Sequence, residues 1–98
     1  MPRLMTLLQA MVPRESWPEL TRAYEGLLAE TLPQGLEETA LLQDAADPDS
    51  WAIASVWSSL EDVEAMRKAG TPGGVLAFRA AGVEPQLRRF TVVVGRRR

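Results

Sequence analysis

The sequence predicts an α+β domain of the ferredoxin-like class, with elements in the order βαββαβ and one four-stranded antiparallel sheet. Its 98 residues suffice for a single domain spanning residues 1–98. Hydrophobic residues make up 46% and charged residues 24%, which is typical of a globular chain. Short segments with strand character alternate with amphipathic helical segments, and right-handed crossovers then place the helices on one face of the sheet.

The first strand and the first helix precede residue 36. Residues 4–12 are a compact apolar run closed by Pro13, which predicts strand 1. Ser16 and Glu19 have the spacing of a capping box, so we expect the first helix to begin there and to end before residues 33–35. Its apolar stripe consists of Trp17, Leu20, Tyr24, Leu27 and Leu28.

Strands 2 and 3 are predicted to form a long hairpin. Residues 36–44 form strand 2, and residues 51–57, which are rich in aromatic and β-branched side chains, form strand 3. The Pro-containing segment 47–50 is the turn between them.

The last third of the chain predicts helical segments followed by strand 4. The second helix opens with a capping pair, either Ser58 with Glu61 or Ser59 with Asp62, and ends at Gly70. Residues 71–74 form a loop, residues 75–81 a short third helix, and residues 86–94 strand 4. Residues 95–98 are expected to be a disordered basic tail.

The predicted helices cover only one face of the sheet. The two sides of strand 3 carry Trp51, Ile53 and Trp57 on one face and Ala52, Ala54 and Val56 on the other. An uncovered apolar face indicates that a second copy packs on it in a two-fold dimer. Arg88 and Arg89 are adjacent on strand 4 and therefore point to opposite faces. One of them is expected to form a salt bridge with Glu37 or Glu38 across the dimer interface.

The residues that the sequence lacks exclude several function classes. It contains no Cys and no His, which excludes disulfides, thiolate catalysis and the commonest metal ligands. Its carboxylates fall in turns and at helix starts, so we predict no metal site and no cofactor. The net charge of −2 argues against binding to nucleic acid. No apolar run approaches the roughly 20 residues of a membrane span, so we expect a cytoplasmic protein that does not bind membranes.

Three segments resemble the antibiotic biosynthesis monooxygenase (ABM) domain. They are residues 32–36 (LPQGL), residues 47–51 (DPDSW) and residues 56–62 (VWSSLED), and the likeness covers nearly the whole chain. The family's fold is a dimeric α/β barrel, so the resemblance implies a homodimer. Its members include cofactor-independent oxygenases that convert phenolic or anthrone-like compounds to quinones, heme-degrading enzymes, and proteins without known activity.

The resemblance also implies candidate site residues. In quinone-forming members a strand Trp works beside an Asn, a Tyr and an Arg. Trp57 matches the Trp, Ile53 stands at the Asn place, Val63 stands at the Tyr place, and Arg79 lies near the Arg place. The heme-degrading members use a His and an Asn, and this chain has neither, so the resemblance does not extend to heme degradation.

Each candidate has a functional and a structural interpretation. Trp57 either stacks on a planar ligand or packs within the barrel, and Arg79 either binds an anion such as a phenolate or forms a surface ion pair. Tyr24 either points its hydroxyl into a cleft or packs in the core. Gln9 either faces a pocket or bonds across the dimer interface. Met66 and Phe78 form either the apolar wall of a pocket or part of the core.

The resulting functional hypothesis is a cofactor-independent monooxygenase that oxidises a small electron-rich aromatic compound with molecular oxygen. In that mechanism Trp57 stacks on the substrate and Arg79 stabilises developing negative charge. Two alternatives remain: a non-catalytic dimeric barrel that binds a small hydrophobic ligand, and a ferredoxin-like assembly domain.

Overall fold

Four strands and three α-helices follow one another in the predicted order. The computed structural model describes residues 2–96. Its elements are β1 (Leu4–Met11), a single 3-10 turn (Arg14–Ser16), α1 (Trp17–Leu28), β2 (Leu36–Gln43), β3 (Ser50–Trp57), α2 (Leu60–Lys68), α3 (Gly73–Ala80) and β4 (Gln86–Thr91).

The strands form one antiparallel sheet in the order β2-β3-β1-β4. The two central strands, β1 and β3, are separated in sequence by α1 and β2, and α2 and α3 lie between β3 and β4. This connectivity is the ferredoxin-like one, and the predicted α+β fold is confirmed.

The two faces of the sheet differ in burial. On the inner face, which the helices cover, β3 contributes Trp51, Ile53, Ser55 and Trp57, all of them buried. The opposite side, here called the outer face, carries Ala52, Ala54 and Val56 from β3, and Met5 and Leu7 from β1. The outer-face positions of β3 are half-buried although no helix covers them, so the predicted division of strand 3 into two faces is confirmed.

The core consists of two hydrophobic clusters on the inner face. The larger one joins α1 and α3 to the sheet and includes the fully buried Leu20 and Phe78. The smaller one joins Leu4, Trp57 and Val63. Leu28 was predicted to lie on the buried stripe of α1, but it is 47% exposed. Only Leu20 and Tyr24 are buried on that helix.

The third helix begins two residues earlier than predicted. Gly73 and Gly74 form its first turn, directly after Pro72. A Cβ on Gly74 would lie 2.7 Å from a Leu8 methyl group, and one on Gly73 would lie 2.8 Å from a Leu27 methyl group. The two glycines therefore let α3 approach the sheet and α1 closely, which local sequence patterns do not reveal.

The fourth strand ends at Thr91 and not at Val94. Among the described residues it pairs only with β1, whose first residue, Leu4, lies opposite Thr91. One further bond joins the Val92 amide to the Arg3 carbonyl, at 2.9 Å. On the β1 side the residue before Arg3 is Pro2, which has no N–H to donate to a longer β4. Val94 is consequently 90% exposed. Of the predicted basic tail, Gly95 and Arg96 are exposed, and residues 97–98 lie outside the described part of the chain.

The predicted helix caps have different outcomes. Ser59 accepts a hydrogen bond from the Asp62 amide at 3.2 Å, which confirms one of the two alternatives for α2. Ser16 is the N-cap residue of α1, as predicted, but it also ends the 3-10 turn and has helical dihedral angles, so its side chain makes no capping hydrogen bond. No side-chain hydrogen bond caps α1.

The prediction that the adjacent arginines of β4 point to opposite faces is confirmed. Arg88 lies opposite Leu7 on the outer face, with its guanidinium 5.1 Å from the centre of the Phe90 ring. Arg89 lies opposite Thr6 on the inner face. The expected salt bridge of one of these arginines with Glu37 or Glu38 across a dimer interface stays a prediction. Within the described residues, Arg3 pairs with Glu37 at 3.5 Å.

Gly35 lies at the end of the α1–β2 loop and approaches the first turn of α2 closely, at Asp62. Its φ of +85° lies in the left-handed region, and a Cβ at this position would collide with the Asp62 carboxyl group. We therefore expect Gly35→Ala to lower the free energy of unfolding by about 2–4 kcal/mol, measured by urea denaturation. Gly82→Ala is the matched control, since Gly82 has a φ of +79° with nothing within 4 Å of its Cβ position. Equal losses in the two variants would show that the Asp62 contact adds nothing.

Candidate functional site

A cavity of about 760 Å³ opens between the inner face of the sheet and the helices. Strands β1, β2 and β3 form its floor, and the end of α1, one side of α2 and the first turn of α3 form its walls. Members of both hydrophobic clusters line it, including Leu8 and Ile53 from the larger and Trp57 and Val63 from the smaller. A volume of this size is typical of sites for small organic ligands.

The structure brings together six of the eight predicted site residues. The six that line the cavity are Tyr24, Ile53, Trp57, Val63, Met66 and Arg79. Phe78 is outside this lining, because its side chain is fully buried in the larger hydrophobic cluster. Phe78 therefore packs in the core and does not form part of the cavity wall.

Gln9 also lies away from the cavity. Odd-numbered residues of β1 point to the outer face, and there the Gln9 amide donates a hydrogen bond to Ser50 Oγ at 3.4 Å. Gln9 lines a second, smaller depression of about 420 Å³. On that face, the alternative of a bond across a dimer interface remains a prediction.

Trp57 is held rigidly in the cavity wall. It is the last residue of β3, and only 4% of its surface is exposed. Its indole Nε1 donates a hydrogen bond to Thr6 Oγ1 at 3.1 Å. This bond fixes the ring orientation, so the small part of the ring that borders the cavity is an apolar surface whose position does not depend on a ligand.

Ile53, before Trp57 in the sequence, and Val63, after it, are two apolar side chains that line the cavity. Ile53 is 4% exposed and Val63 is 1% exposed. These are the places of the hydrogen-bonding Asn and Tyr that the resemblance implies for quinone-forming members. At both points the wall of this protein can therefore offer contact area but no hydrogen bond.

Sequence analysis missed a chain of three hydroxyl groups on the cavity lining, here called the hydroxyl chain: Tyr24, Thr39 and Ser55. The Tyr24 hydroxyl lies 2.9 Å from Thr39 Oγ1, which lies 3.0 Å from Ser55 Oγ. All three residues line the cavity. The available signal was two small polar residues in strands, but their meeting depends on strand register.

Arg79 reaches the cavity rim as one half of an ion pair. Its Nε and Nη2 donate to the two carboxylate oxygens of Glu84 at 2.8 Å and 2.9 Å, and both side chains are at least half exposed. The hydrogen bond from Arg79 lowers the pKa of the Glu84 carboxyl below its ordinary value, and the same bond raises the pKa of Arg79. The surface ion-pair interpretation of Arg79 thus describes its state in this structure.

The charged side chains around the cavity are confined to its outer parts, and their charges balance. Glu30 and Arg67 line it as exposed residues, in addition to the Arg79–Glu84 pair. Within residues 2–96, no group of three or more acidic side chains is placed to hold a metal ion. None of the described helices is both long enough and apolar enough to span a membrane.

Comparisons with known proteins were made for both sequence and structure. Neither the protein-family models nor the curated proteins gave a match to the sequence. Among solved structures, a provisionally named antibiotic biosynthesis monooxygenase from Caulobacter crescentus superposes with a TM-score of 0.74 at 14% identity, over 95% of this chain and 92% of that one.

Two further structures carry different names. A Bacteroides thetaiotaomicron protein described as a possible oxidoreductase has a TM-score of 0.71 at 16% identity, with coverage of 92% of this chain and 97% of that chain. A heme-degrading protein from Mycobacterium tuberculosis has a TM-score of 0.68 at 21% identity, with coverage of 96% and 94%. The likeness confirms that this chain has the fold of structures named as antibiotic biosynthesis monooxygenases, as its sequence resemblance implies.

Proposed function

We propose that this protein binds a small, flat, largely apolar molecule in the cavity and oxidises it with molecular oxygen. The observation that carries the proposal is the buried ring of Trp57, which is fixed by its bond to Thr6 in the wall of a cavity of about 760 Å³. An indole ring supplies a large flat contact at little cost in conformational entropy. Such a wall favours an electron-rich aromatic compound, such as a phenol or a hydroquinone.

The proposed reaction is a cofactor-independent monooxygenation. The electron-rich substrate supplies electrons to dioxygen, one oxygen atom enters the substrate as a carbonyl oxygen, and the other leaves as water. The apolar wall of Ile53, Val63 and Met66 supports this proposal, because it would keep water away from a reactive anion. Arg79 would stabilise negative charge only after separating from Glu84, which makes the opening of this ion pair part of the mechanism.

Non-catalytic binding of a small hydrophobic ligand is the second candidate. It is favoured by the apolar side chains at positions 53 and 63 and by the prior engagement of Arg79 with Glu84. In this case the cavity and Trp57 hold the ligand without a reaction, and no oxygen is consumed.

Oxygen uptake separates the two candidates. The purified protein is assayed with an oxygen electrode against hydroquinone, 1,4-dihydroxynaphthalene and anthrone, with correction for autoxidation. We expect saturable uptake with one of these compounds and a decrease of kcat/KM of about tenfold in Trp57→Phe, which loses both contact area and the bond to Thr6. Trp17→Phe is the control, since Trp17 lies on α1 outside the cavity lining.

Binding measured on the same samples completes the experiment. A compound that is retained in equilibrium dialysis without oxygen uptake would support the second candidate. If no compound is retained and none gives oxygen uptake, both candidate functions are contradicted. An equal decrease in Trp17→Phe and Trp57→Phe would remove the assigned role from Trp57.

We also propose that the protein is a two-fold homodimer that buries its outer face. Three large apolar side chains on this face are 38–45% exposed, namely Met5, Leu42 and Phe90. The helices lie on the opposite side of the sheet, so nothing within the described chain covers these groups. An isologous contact between two copies of the same face would remove them from water.

A further inference from the structure

Three leucines that line the cavity are also exposed to solvent, and they are here called the rim leucines. Leu28 is 47% exposed at the end of α1, and Leu32 is 43% exposed in the loop between α1 and β2. Leu87 is 43% exposed on the inner face of β4. A single exposed leucine is ordinary on a protein surface, but three on the lining of one cavity give it an apolar opening.

The exposure of the apolar side chains in the lining increases stepwise from the interior to this opening. Trp57 and Val63 are buried, Leu27 and Met66 are half-buried, and the rim leucines are exposed. The volume of about 760 Å³ lies in the upper part of the range of small-molecule sites. A single flat ring beside Trp57 would therefore leave the outer part of the cavity unoccupied.

We propose that the ligand is an aromatic compound that carries a hydrocarbon substituent, with its ring beside Trp57 and the substituent on the rim leucines. The substituent would remove its own apolar surface and that of the leucines from water, which favours binding roughly in proportion to the area buried. The inference rests on the proposed function and narrows its substrate class to alkyl-substituted phenols or hydroquinones.

The position of the rim leucines favours a part of the ligand over a second protein as their occupant. Leu28 and Leu32 lie on the helix side of the sheet, whereas the proposed dimer buries the outer face. Leu87 lies opposite Leu8 in the sheet, and Leu8 lines the same cavity. Because the rim is continuous with the cavity, a substituent on a bound ring can contact it without a separate binding event.

The test measures how affinity depends on the length of the substituent. Dissociation constants of 4-ethylphenol, 4-butylphenol and 4-hexylphenol are determined by equilibrium dialysis at neutral pH, where phenols are uncharged. We expect wild-type affinity to increase about threefold for each added methylene, or about 80-fold from the ethyl to the hexyl compound. As a polar analogue, 4-(3-hydroxypropyl)phenol matches 4-butylphenol in its number of non-hydrogen atoms. It should bind at least about tenfold more weakly, because its hydroxyl loses hydration.

The double variant Leu28→Gln with Leu32→Gln tests the rim, since glutamine retains the length of the side chain but replaces its apolar end with an amide. The gain in affinity should fall to less than about 1.5-fold per methylene. Leu60→Gln with Leu76→Gln is the matched control. Leu60 and Leu76 are similarly exposed but lie outside the cavity lining, so this variant should reproduce the wild-type series.

The outcomes separate this inference from the proposed function. An equal gain per methylene in the wild type and the rim variant overturns the inference, and so does an equal loss of the gain in the control variant. Wild-type binding that does not tighten with chain length overturns it as well. In each of these cases, saturable oxygen uptake with 1,4-dihydroxynaphthalene would leave the proposed function standing. If neither the phenols nor 1,4-dihydroxynaphthalene bind to the wild type, the proposed ligand cavity and the inference both fail.

Discussion

Ala54→Glu should convert the protein from a dimer into monomers. Ala54 lies near the middle of the outer face, opposite Leu7 on β1 and Ala40 on β2, so no charged side chain stands directly beside it in the sheet. In an isologous dimer a single substitution places two carboxylates in the interface. Burying unpaired carboxylates costs several kcal/mol, which raises the dissociation constant at least about 100-fold.

Sedimentation velocity across a range of protein concentrations measures this change. Ala65→Glu is the control, because it introduces the same side chain at an exposed position on α2. It should remain dimeric, and the circular dichroism spectra of both variants should match that of the wild type. A wild type that is monomeric at all concentrations, or an Ala54→Glu variant that remains a dimer, would show that the outer face is not the dimer contact.

The parts of the fold that follow from a simple period were predictable from the sequence. The large side chains Trp51, Ile53 and Trp57 occupy odd-numbered positions of strand 3, and the structure buries all three while it leaves Ala54 and Val56 on the outer face. Position along an alternating strand fixes the face, because successive side chains point to opposite sides. The choice of Ile53 and Val63 as candidate site residues came from the family resemblance and not from this alternation.

The hydroxyl chain was not predictable because an irregularity in β2 reverses the alternation. Leu36 lies opposite Trp57, but the register shifts before Glu38, which lies opposite Val56. Strict alternation from Leu36 would therefore turn Thr39 to the outer face, whereas the bulge turns it to the inner face opposite Ser55. A one-residue shift of this kind moves every later side chain to the other face, and nothing in the local sequence specifies it.

The ion pair between Arg79 and Glu84 could not be predicted from the sequence either. Glu84 lies five residues further along, outside the spacing of three or four residues that joins side chains on a helix. The two meet because α3 ends at Ala80 and Gly82, with a φ of +79°, reverses the chain between them. The positive φ is a property of the turn, so the pairing appears only in three dimensions.

Met66→Trp should abolish ligand binding while the dimer persists. Met66 lies half-buried on α2, packs against the smaller hydrophobic cluster and lines the cavity. The larger ring system at this position would occupy space that a flat ligand needs beside Trp57. We expect the dissociation constants of 1,4-dihydroxynaphthalene and anthrone to rise at least about tenfold, with a loss of about 1–3 kcal/mol in the free energy of unfolding from overpacking.

Leu60→Trp is the control for Met66→Trp. Leu60 lies on the same helix, is 47% exposed and is outside the cavity lining, so this variant should bind both compounds as the wild type does. Unchanged binding in Met66→Trp would place the ligand elsewhere, for example in the smaller depression at Gln9. Because the sheet separates the cavity from the outer face, Ala54→Glu should lose the dimer and keep binding, whereas Met66→Trp should lose binding and keep the dimer. Loss of both properties in either variant would show that the two faces of the sheet are coupled.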